Sequence, residues 1–218
     1  NLLCALGAKK ENIVVADSRG LLTTKREGLD ESKKAYVQDI EGSQIADVIA
    51  GADMFLGLSA AGILTKEMVK VMAQDPIIFA LANPDPEILP EHAHEVRDDV
   101  IMATGRSDYP NQVNNALCFP YIFRGALDVR ARTINTEMKV AASMALAMLA
   151  REPVPADVQA LYPNEKLEFG TQYIIPKAFD RRLYSVVSYA VAEAAVKSGA
   201  APAETDLVGL KQQLEAGF

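Results

Sequence analysis

The chain has 218 residues, half of them hydrophobic and 23% charged, which is enough to bury the core of one large domain or of one and a half small ones. Its net charge of −7 argues against nucleic acid as the main partner, although a small anionic ligand could still bind in a local basic pocket. No apolar run is long enough to span a bilayer, and Cys4 and Cys118 have no CxxC spacing. We therefore expect a cytoplasmic protein with two buried, reduced thiols.

The first residues predict the back half of a helix that Gly7 terminates, as in a piece of a longer chain. The apolar run 12–17 then predicts a buried strand that ends at Asp17. A helix, a strand and then an acid form the second half of a dinucleotide-binding unit, in which the acid hydrogen-bonds the adenosine ribose. The alternative is an aspartate that only caps a turn.

The residues after this acid bear on the choice of dinucleotide. Ser18 and Arg19 would lie within reach of a 2′-phosphate, which the planar guanidinium recognises well. Lys33 and Lys34 could add positive charge from a neighbouring loop, or they could belong to a solvated charged segment. The pattern favours NADP over NAD.

A short helix over 43–51 precedes a second buried strand, over 53–58. The strand ends at Leu58 and runs into the small residues 59–62, which would let the backbone approach a flat ligand closely. In a dinucleotide-binding sheet this loop lies against the nicotinamide, so we expect Leu58 and Ser59 to contact the cofactor. Small residues also occur in tight turns that bind nothing.

A third strand, over 77–81, leads to Asn83, whose conformation the following Pro84 restricts. Open parallel sheets bind ligands beyond the carboxyl ends of their strands, so Asn83 is a candidate ligand-binding residue. The alternative is an Asn-Pro turn without chemistry. A last strand is predicted over 100–105.

A pair of asparagines, Asn114 and Asn115, opens a helix-compatible run. An amide offers a donor and an acceptor, so either residue could bind a hydroxyl or a carboxylate, while the other could serve as a helix N-cap.

His92 and His94 stand two apart in a polar stretch, and residues at that spacing point to different sides of a helix. We expect them on an exposed helix rather than at a metal.

The fold class expected is α/β, a Rossmann-like three-layer parallel sheet, with residues 1–150 as an incomplete dinucleotide-binding domain and 151–218 as a helical extension. The predicted elements of the second half are helices over 119–132, 136–150, 158–162 and 181–197, a strand-like segment over 173–180 and a helical tail.

Five motifs in order give the chain a resemblance to the malic enzymes, in particular to the bacterial NADP-type branch. They are Val-Ala-Asp-Ser-Arg-Gly at 15–20, Phe-Leu-Gly-Leu-Ser at 55–59, Phe-Ala-Leu-Ala-Asn-Pro at 79–84, Gln-Val-Asn-Asn-Ala-Leu-Cys-Phe-Pro at 112–120 and Tyr-Ile-Ile-Pro-Lys at 173–177.

The resemblance implies oxidative decarboxylation of L-malate to pyruvate and carbon dioxide, with NADP or NAD and a divalent metal (Mg or Mn), in a homodimeric enzyme. It places Asn83 and Asn115 at the substrate, and we therefore expect their amides to converge on one hollow at the ends of the parallel strands. The remaining cofactor contacts expected from the motifs and their surroundings are Asp17, Ser18, Arg19, Lys33, Leu58, Ser59, Asn83 and Asn114.

In that family the metal-binding acids, the lysine and tyrosine that move protons and the glycine-rich phosphate loop all precede the region that resembles this chain. We therefore expect no catalytic or metal-binding residue in the chain, no turnover by it alone, and two exposed sheet edges where the first strand belongs at the centre of the sheet. The alternatives are another NAD(P)-dependent dehydrogenase of amino or hydroxy acids, and a non-catalytic regulatory or assembly domain of the same fold.

Overall fold

A computed structural model describes residues 1–217. They form two compact units, the first ending at Tyr109 and the second beginning at Pro110. Each unit has its own hydrophobic core. The predicted boundary after residue 150 stays a prediction.

The first unit is built on a parallel sheet in the order β3-β4-β5. The strands are β3 (Met54–Gly57), β4 (Ile77–Ala80) and β5 (Ile101–Thr104), and all three were predicted from their apolar runs. The register aligns the last residues of the three strands, Gly57, Ala80 and Thr104, so that the strands end together at one edge. The helices are α1 (Leu2–Ala5), α2 (Glu31–Lys34), α3 (Lys66–Lys70) and α4 (Pro90–His94), with 3-10 turns at Lys10–Asn12 and Ile45–Asp47.

The predicted strand over 12–17 is largely wrong. Only β1 (Ala16–Asp17) is extended and paired, and its partner is the antiparallel β2 (Gly20–Leu21). A strand requires a neighbouring ladder, and among residues 1–217 the segment 12–15 has none in the parallel sheet. Gly20, at φ 103°, supplies the left-handed backbone that closes the hairpin. The predicted helix over 43–51 is also shorter, a single 3-10 turn.

The second unit is helical, and α8 (Arg182–Lys197) lies at its centre. The other helices are α5 (Phe119–Asp128), α6 (Thr136–Leu149), α7 (Ala156–Ala160) and α9 (Leu207–Ala216). Helix α8 packs against α5, α6 and α9 through fully buried residues that include Leu183, Val187 and Val191. These three residues follow one another at helical spacing, which places them on one side of the helix. The helix predicted over 181–197 from this pattern agrees with α8 to within one residue at each end.

The strand-like segment over 173–180 is not a strand, which corrects that prediction. Tyr173, its first residue, is buried in a small cluster with Val158 and Leu167, while its backbone forms only an isolated bridge to Gly170. The start of this segment is therefore held by packing of the Tyr173 ring rather than by strand pairing.

Three smaller expectations can be compared with the structure. Cys4 and Cys118 are both free, as predicted, but half-buried rather than buried. His92 and His94 lie on α4 as predicted for a helix, but they are half-buried rather than exposed. Across residues 1–217 no helix is long and apolar enough to cross a membrane.

Candidate functional site

The carboxyl ends of β3, β4 and β5 carry the candidate residues of the first unit. Leu58 and Ser59 follow β3, Asn83 follows β4 after two residues, and Gly105 follows β5 directly. Because the strands are parallel and in register, these loops leave the sheet side by side, where ligands of open α/β sheets bind.

Asn83 is exposed beyond the end of β4, and its peptide bond to Pro84 is cis. Its Nδ2 lies 3.4 Å from the carbonyl oxygen of Leu81. Its amide packs over Gly105, where a Cβ would lie 3.0 Å from Asn83 Oδ1. The neighbouring strand end therefore has room for this amide because its residue is glycine.

The loop after β3 presents an exposed apolar side chain beside an anchored backbone. Leu58 is 74% exposed, although leucine is among the residues most often buried in folded proteins. The next residue, Ser59, donates its backbone N–H to Glu87 Oε1 at 2.9 Å. The loop can thus offer an apolar surface to a flat ring while its main chain is held in place.

Glu87 is a residue of this region that the sequence reasoning missed. Its side chain is fully buried, and its other oxygen, Oε2, accepts a hydrogen bond from the backbone N–H of Ala82 at 3.0 Å. The only signal in the sequence is an acid between Pro86 and two apolar residues, which is weak evidence for burial. A cavity of about 310 Å³ adjoins Glu87, between the loop after β3 and α4, and Asn83 is not among its lining residues.

Asp17, the predicted ribose acid, lies in the hairpin and is surrounded by donors. Its carboxylate accepts from Lys33 Nζ at 2.8 Å, from the backbone N–H of Arg19 at 2.9 Å and from Arg26 at 3.1 Å. The Lys33 ammonium, then the Arg19 N–H and the Arg26 guanidinium, hold the pKa of Asp17 well below its usual range. Asp17 is therefore a permanent anion under ordinary conditions.

The structure places Lys33 against Asp17 and adds Arg26, which the sequence analysis did not predict. Arg26 also donates to the carbonyl oxygens of Gly20 and Leu21, each at 3.1 Å, so it supports the hairpin itself. Ser18 and Arg19 form the exposed tip, and among residues 1–217 the Arg19 guanidinium has no ion-pair partner. A free guanidinium at this tip can bind a phosphate.

The asparagine pair lies in the second unit, at a 3-10 turn over Asn115–Leu117. Asn114 is its N-cap, with Oδ1 accepting from the backbone N–H of Ala116 at 2.9 Å. Asn115 is exposed and its amide makes no hydrogen bond within the described part of the chain. The cap thus fixes the turn and leaves the Asn115 amide free for a ligand. The convergence of Asn83 and Asn115 stays a prediction.

A third asparagine, Asn111, links the chain just before the asparagine pair to residues 171–174. The sequence analysis did not single it out. It is 3% exposed, donates to the carbonyl oxygen of Thr171 at 2.8 Å and accepts from the N–H of Ile174 at 2.8 Å. Its φ of 54° is left-handed, which asparagine tolerates better than most residues.

Within residues 1–217 no group of histidine, cysteine, aspartate and glutamate side chains could hold a metal ion.

The amino-acid sequence of the chain is similar to that of known proteins. A family model described as "Malic enzyme, NAD binding domain" matches residues 5–168. The chain belongs to the malic enzyme family. The NADP-dependent malic enzyme of Rhizobium meliloti is 54% identical over 218 residues, 99% of this chain and 28% of that protein. The NADP-dependent malic enzyme of Halomonas elongata is 56% identical over 200 residues, 92% of this chain and 47% of that protein.

A further relative named as an NAD-dependent malic enzyme, also from Rhizobium meliloti, is 57% identical over 203 residues, 92% of this chain and 26% of that protein. The chain thus spans about a quarter to a half of the length of these relatives. Relatives with either cofactor name are about equally similar, so overall identity does not select the cofactor.

Solved malic enzyme structures match the coordinates as well. That of Entamoeba histolytica has a TM-score of 0.82 at 34% identity, covering 98% of this chain and 43% of that one. The malic enzyme structure from Pyrococcus horikoshii has a TM-score of 0.80 at 35% identity, and the match covers 98% of this chain and 48% of that one. The parallel sheet with its helices is thus the Rossmann-like dinucleotide-binding fold of this oxidoreductase family, and both the resemblance and the predicted fold class are confirmed.

Proposed function

We propose that this chain supplies the dinucleotide-binding part, and two substrate-binding amides, of an enzyme that oxidatively decarboxylates L-malate to pyruvate and carbon dioxide while reducing NADP. The observation that carries the proposal is the exposed amide of Asn83 at the end of β4, beside the loop of Leu58. The names of the relatives support it. The enzyme would be cytoplasmic and homo-oligomeric.

The substrate would be bound by neutral groups of this chain. Malate has two carboxylates and a hydroxyl, and the Asn83 and Asn115 amides can donate to the carboxylates and accept from the hydroxyl without adding charge. Both amides are exposed, and Asn115 has no competing partner in residues 1–217. Fixing the hydroxyl-bearing carbon against the cofactor is their contribution to the rate.

The cofactor, when bound, accepts the hydride from C2 of malate. Leu58 and the Ser59 backbone would pack against the nicotinamide, with Asn83 beside it, and Asn114 would contribute by fixing the turn that carries Asn115. At the adenosine end, Arg19 and Lys33 would bind the 2′-phosphate of NADP. The cluster around Asp17 favours a phosphate because its two basic side chains, Arg26 and Lys33, outnumber the one acid.

The proton-transferring residues and the ligands of the divalent metal are assigned to parts of the enzyme outside this chain, so the chain alone would not turn over. The test uses a chimera, in which the matching 92% of this chain replaces the corresponding 200 residues of the Halomonas elongata relative. We expect the chimera to reduce NADP with L-malate, followed at 340 nm, and the chain alone to be inactive.

The residue-level arm of the test uses Asn115→Ala in the chimera. Loss of one amide that contacts a charged carboxylate should raise the KM for malate by about tenfold and leave the Kd for NADP within about twofold. Asn164→Ala, which changes an exposed asparagine outside the five motifs, is the matched control and should change neither constant. An unchanged KM for Asn115→Ala would contradict the substrate assignment.

A further inference from the structure

Glu87 is a buried carboxylate without a cation. Its side chain has no exposed surface, and among residues 1–217 no lysine, arginine or histidine pairs with it. Removing an ionised carboxylate from water is costly unless hydrogen bonds compensate for the lost hydration. A chain that only needed to fill this space could have used leucine or methionine, so the carboxylate itself requires an explanation.

The compensation comes from two backbone amides, and they belong to different loops. Oε1 accepts from Ser59 in the loop after β3, at 2.9 Å, and Oε2 accepts from Ala82 in the loop after β4, at 3.0 Å. The Glu87 carbonyl oxygen also accepts from the N–H of Leu64, at 3.1 Å, so the residue holds the β3 loop at two points. Charge-assisted bonds of this kind are stronger than neutral ones.

Gly57 makes room for the carboxylate. A Cβ at this position would collide with the Cδ and Oε1 atoms of Glu87. The last residue of β3 is therefore matched to the carboxylate, in the same way that Gly105 at the end of β5 is matched to the Asn83 amide. Both glycines serve groups at the ligand-binding edge of the sheet.

We propose that Glu87 is a positioning residue for the nicotinamide and substrate end of the site. Through its two oxygens it sets the distance between the Leu58–Ser59 backbone and Ala82, the residue directly before Asn83. The apolar surface for the ring and the amide for the substrate are thereby held in one geometry. The identities of ring and substrate rest on the function proposed above; the link between the two loops does not.

The link is tested on the 218-residue chain by amide hydrogen exchange, resolved by NMR. In Glu87→Gln one acceptor oxygen is replaced by an NH₂ group, which cannot accept from the amide that faced it. We expect the amide protons of Ser59 and Ala82 to be protected in the wild type, and at least one of them to exchange about tenfold faster in the variant. Asp85→Asn, in the same loop but 68% exposed, is the control and should leave both amides unchanged.

The consequence is tested in the chimera. With the two loops released, the KM for malate and the KM for NADP should each rise by about fivefold or more in Glu87→Gln, and not in Asp85→Asn. Loss of folded protein alone would lower kcat and leave both KM values unchanged, and that result would overturn the positioning role. Exchange rates unaffected by Glu87→Gln would overturn the link itself.

A pair of further variants covers the case in which Glu87→Gln folds poorly. Gly57→Ala should displace the carboxylate and raise both KM values, whereas the same change added to Glu87→Ala should have little further effect, because the colliding group is gone. Strictly additive effects would contradict the proposal. A chimera without malate-dependent activity in its wild-type form would refute the proposed function, while the exchange result would still decide the link.

Discussion

The guanidinium of Arg26 donates from one terminal nitrogen to both carboxylate oxygens of Asp17, each at 3.1 Å, while its other terminal nitrogen donates to the carbonyls of Gly20 and Leu21. Lys33 reaches the same carboxylate from α2. The acid at the end of β1 is therefore already engaged before any ligand binds. What remains available at the hairpin tip is the Arg19 guanidinium, and this arrangement suits a phosphate better than a hydroxyl.

Arg19→Ala should weaken NADP more than NAD. We expect the Kd for NADP of the chimera to rise by about tenfold, the effect of losing a charged hydrogen bond, and the Kd for NAD to change by less than about twofold. Nicotinamide fluorescence of the reduced cofactors measures both constants. Lys25→Ala removes an exposed charge from the same segment and should change neither. Equal losses for both dinucleotides would refute the assignment of Arg19 to the 2′-phosphate.

Lys33→Ala should also weaken NADP selectively, but by less. Its side chain is 39% exposed and shares its charge with Asp17, so a loss of about 1 kcal/mol, or about fivefold in Kd, is expected. The neighbouring Lys34 is 56% exposed and pairs with Glu31, which makes Lys34→Ala a matched control with no expected effect. An effect of Lys34→Ala as large as that of Lys33→Ala would indicate general attraction rather than a specific contact.

The sequence predicted the elements that carry a clear apolar pattern of their own. The runs that became β3, β4 and β5 are mainly apolar, and the spacing of Leu183, Val187 and Val191 makes one helix face. It failed for the segment 12–15, because a strand depends on a neighbour that no local pattern specifies.

The same limit applied to the site. Asp17, Asn83 and Asn115 could be predicted as candidates because they stand at strand ends or in motifs, which are visible in the sequence alone. Arg26 and Glu87 act through contacts with residues 9 and 28 positions away, and such partners are fixed only by the folded chain.

Gly105→Ala should impair substrate binding through Asn83. The added methyl group would lie 3.0 Å from Asn83 Oδ1, a distance closer than ordinary contact, so the amide must move by a few tenths of an ångström. We expect the KM for malate of the chimera to rise by about threefold to tenfold, since small displacements of positioning groups are costly. Gly170→Ala, whose new methyl group would have no neighbour closer than 3.9 Å, is the control. An unchanged KM would mean that Asn83 does not bind malate in the position that it occupies here.

Asp99 should contribute to the stability of the first unit in a pH-dependent way. The Arg97 side chain, then the N–H of Asp75, lowers its pKa from an ordinary 3.8 to about 2, and Arg97 also donates to the carbonyl oxygen of Met72 at 2.8 Å. Because the folded pKa is the lower one, this stabilisation is complete above about pH 4 and is lost as the pH falls toward 2. Asp99→Asn should remove that part of the acid dependence, measured as urea midpoints between pH 2 and 6, whereas Asp98→Asn, an exposed neighbour, should retain it. An Asp99 carboxyl that titrates near 3.8 by NMR would contradict this prediction.

Gly125 should be the least replaceable glycine of the second unit. It is buried on α5 where α8 crosses, and a methyl group there would overlap the backbone carbonyl oxygen of Ser188 and lie 3.0 Å from the Cβ of Val191. Alanine would favour the helix by up to about 1 kcal/mol, but overpacking of this kind costs about 1–3 kcal/mol and is worse against backbone than against a side chain that can rotate.

We therefore expect Gly125→Ala to lower the free energy of unfolding by about 2 kcal/mol, seen as a lower urea midpoint when helix content is followed by far-ultraviolet circular dichroism. Gly170→Ala changes the same residue type outside a helix and without a close neighbour, so its effect should stay within about 0.5 kcal/mol. Because α5 begins two residues after the 3-10 turn that starts at Asn115, separation of α5 from α8 should also raise the KM for malate in the chimera. A Gly125→Ala chain as stable as the wild type would show that α5 and α8 do not cross as closely as described.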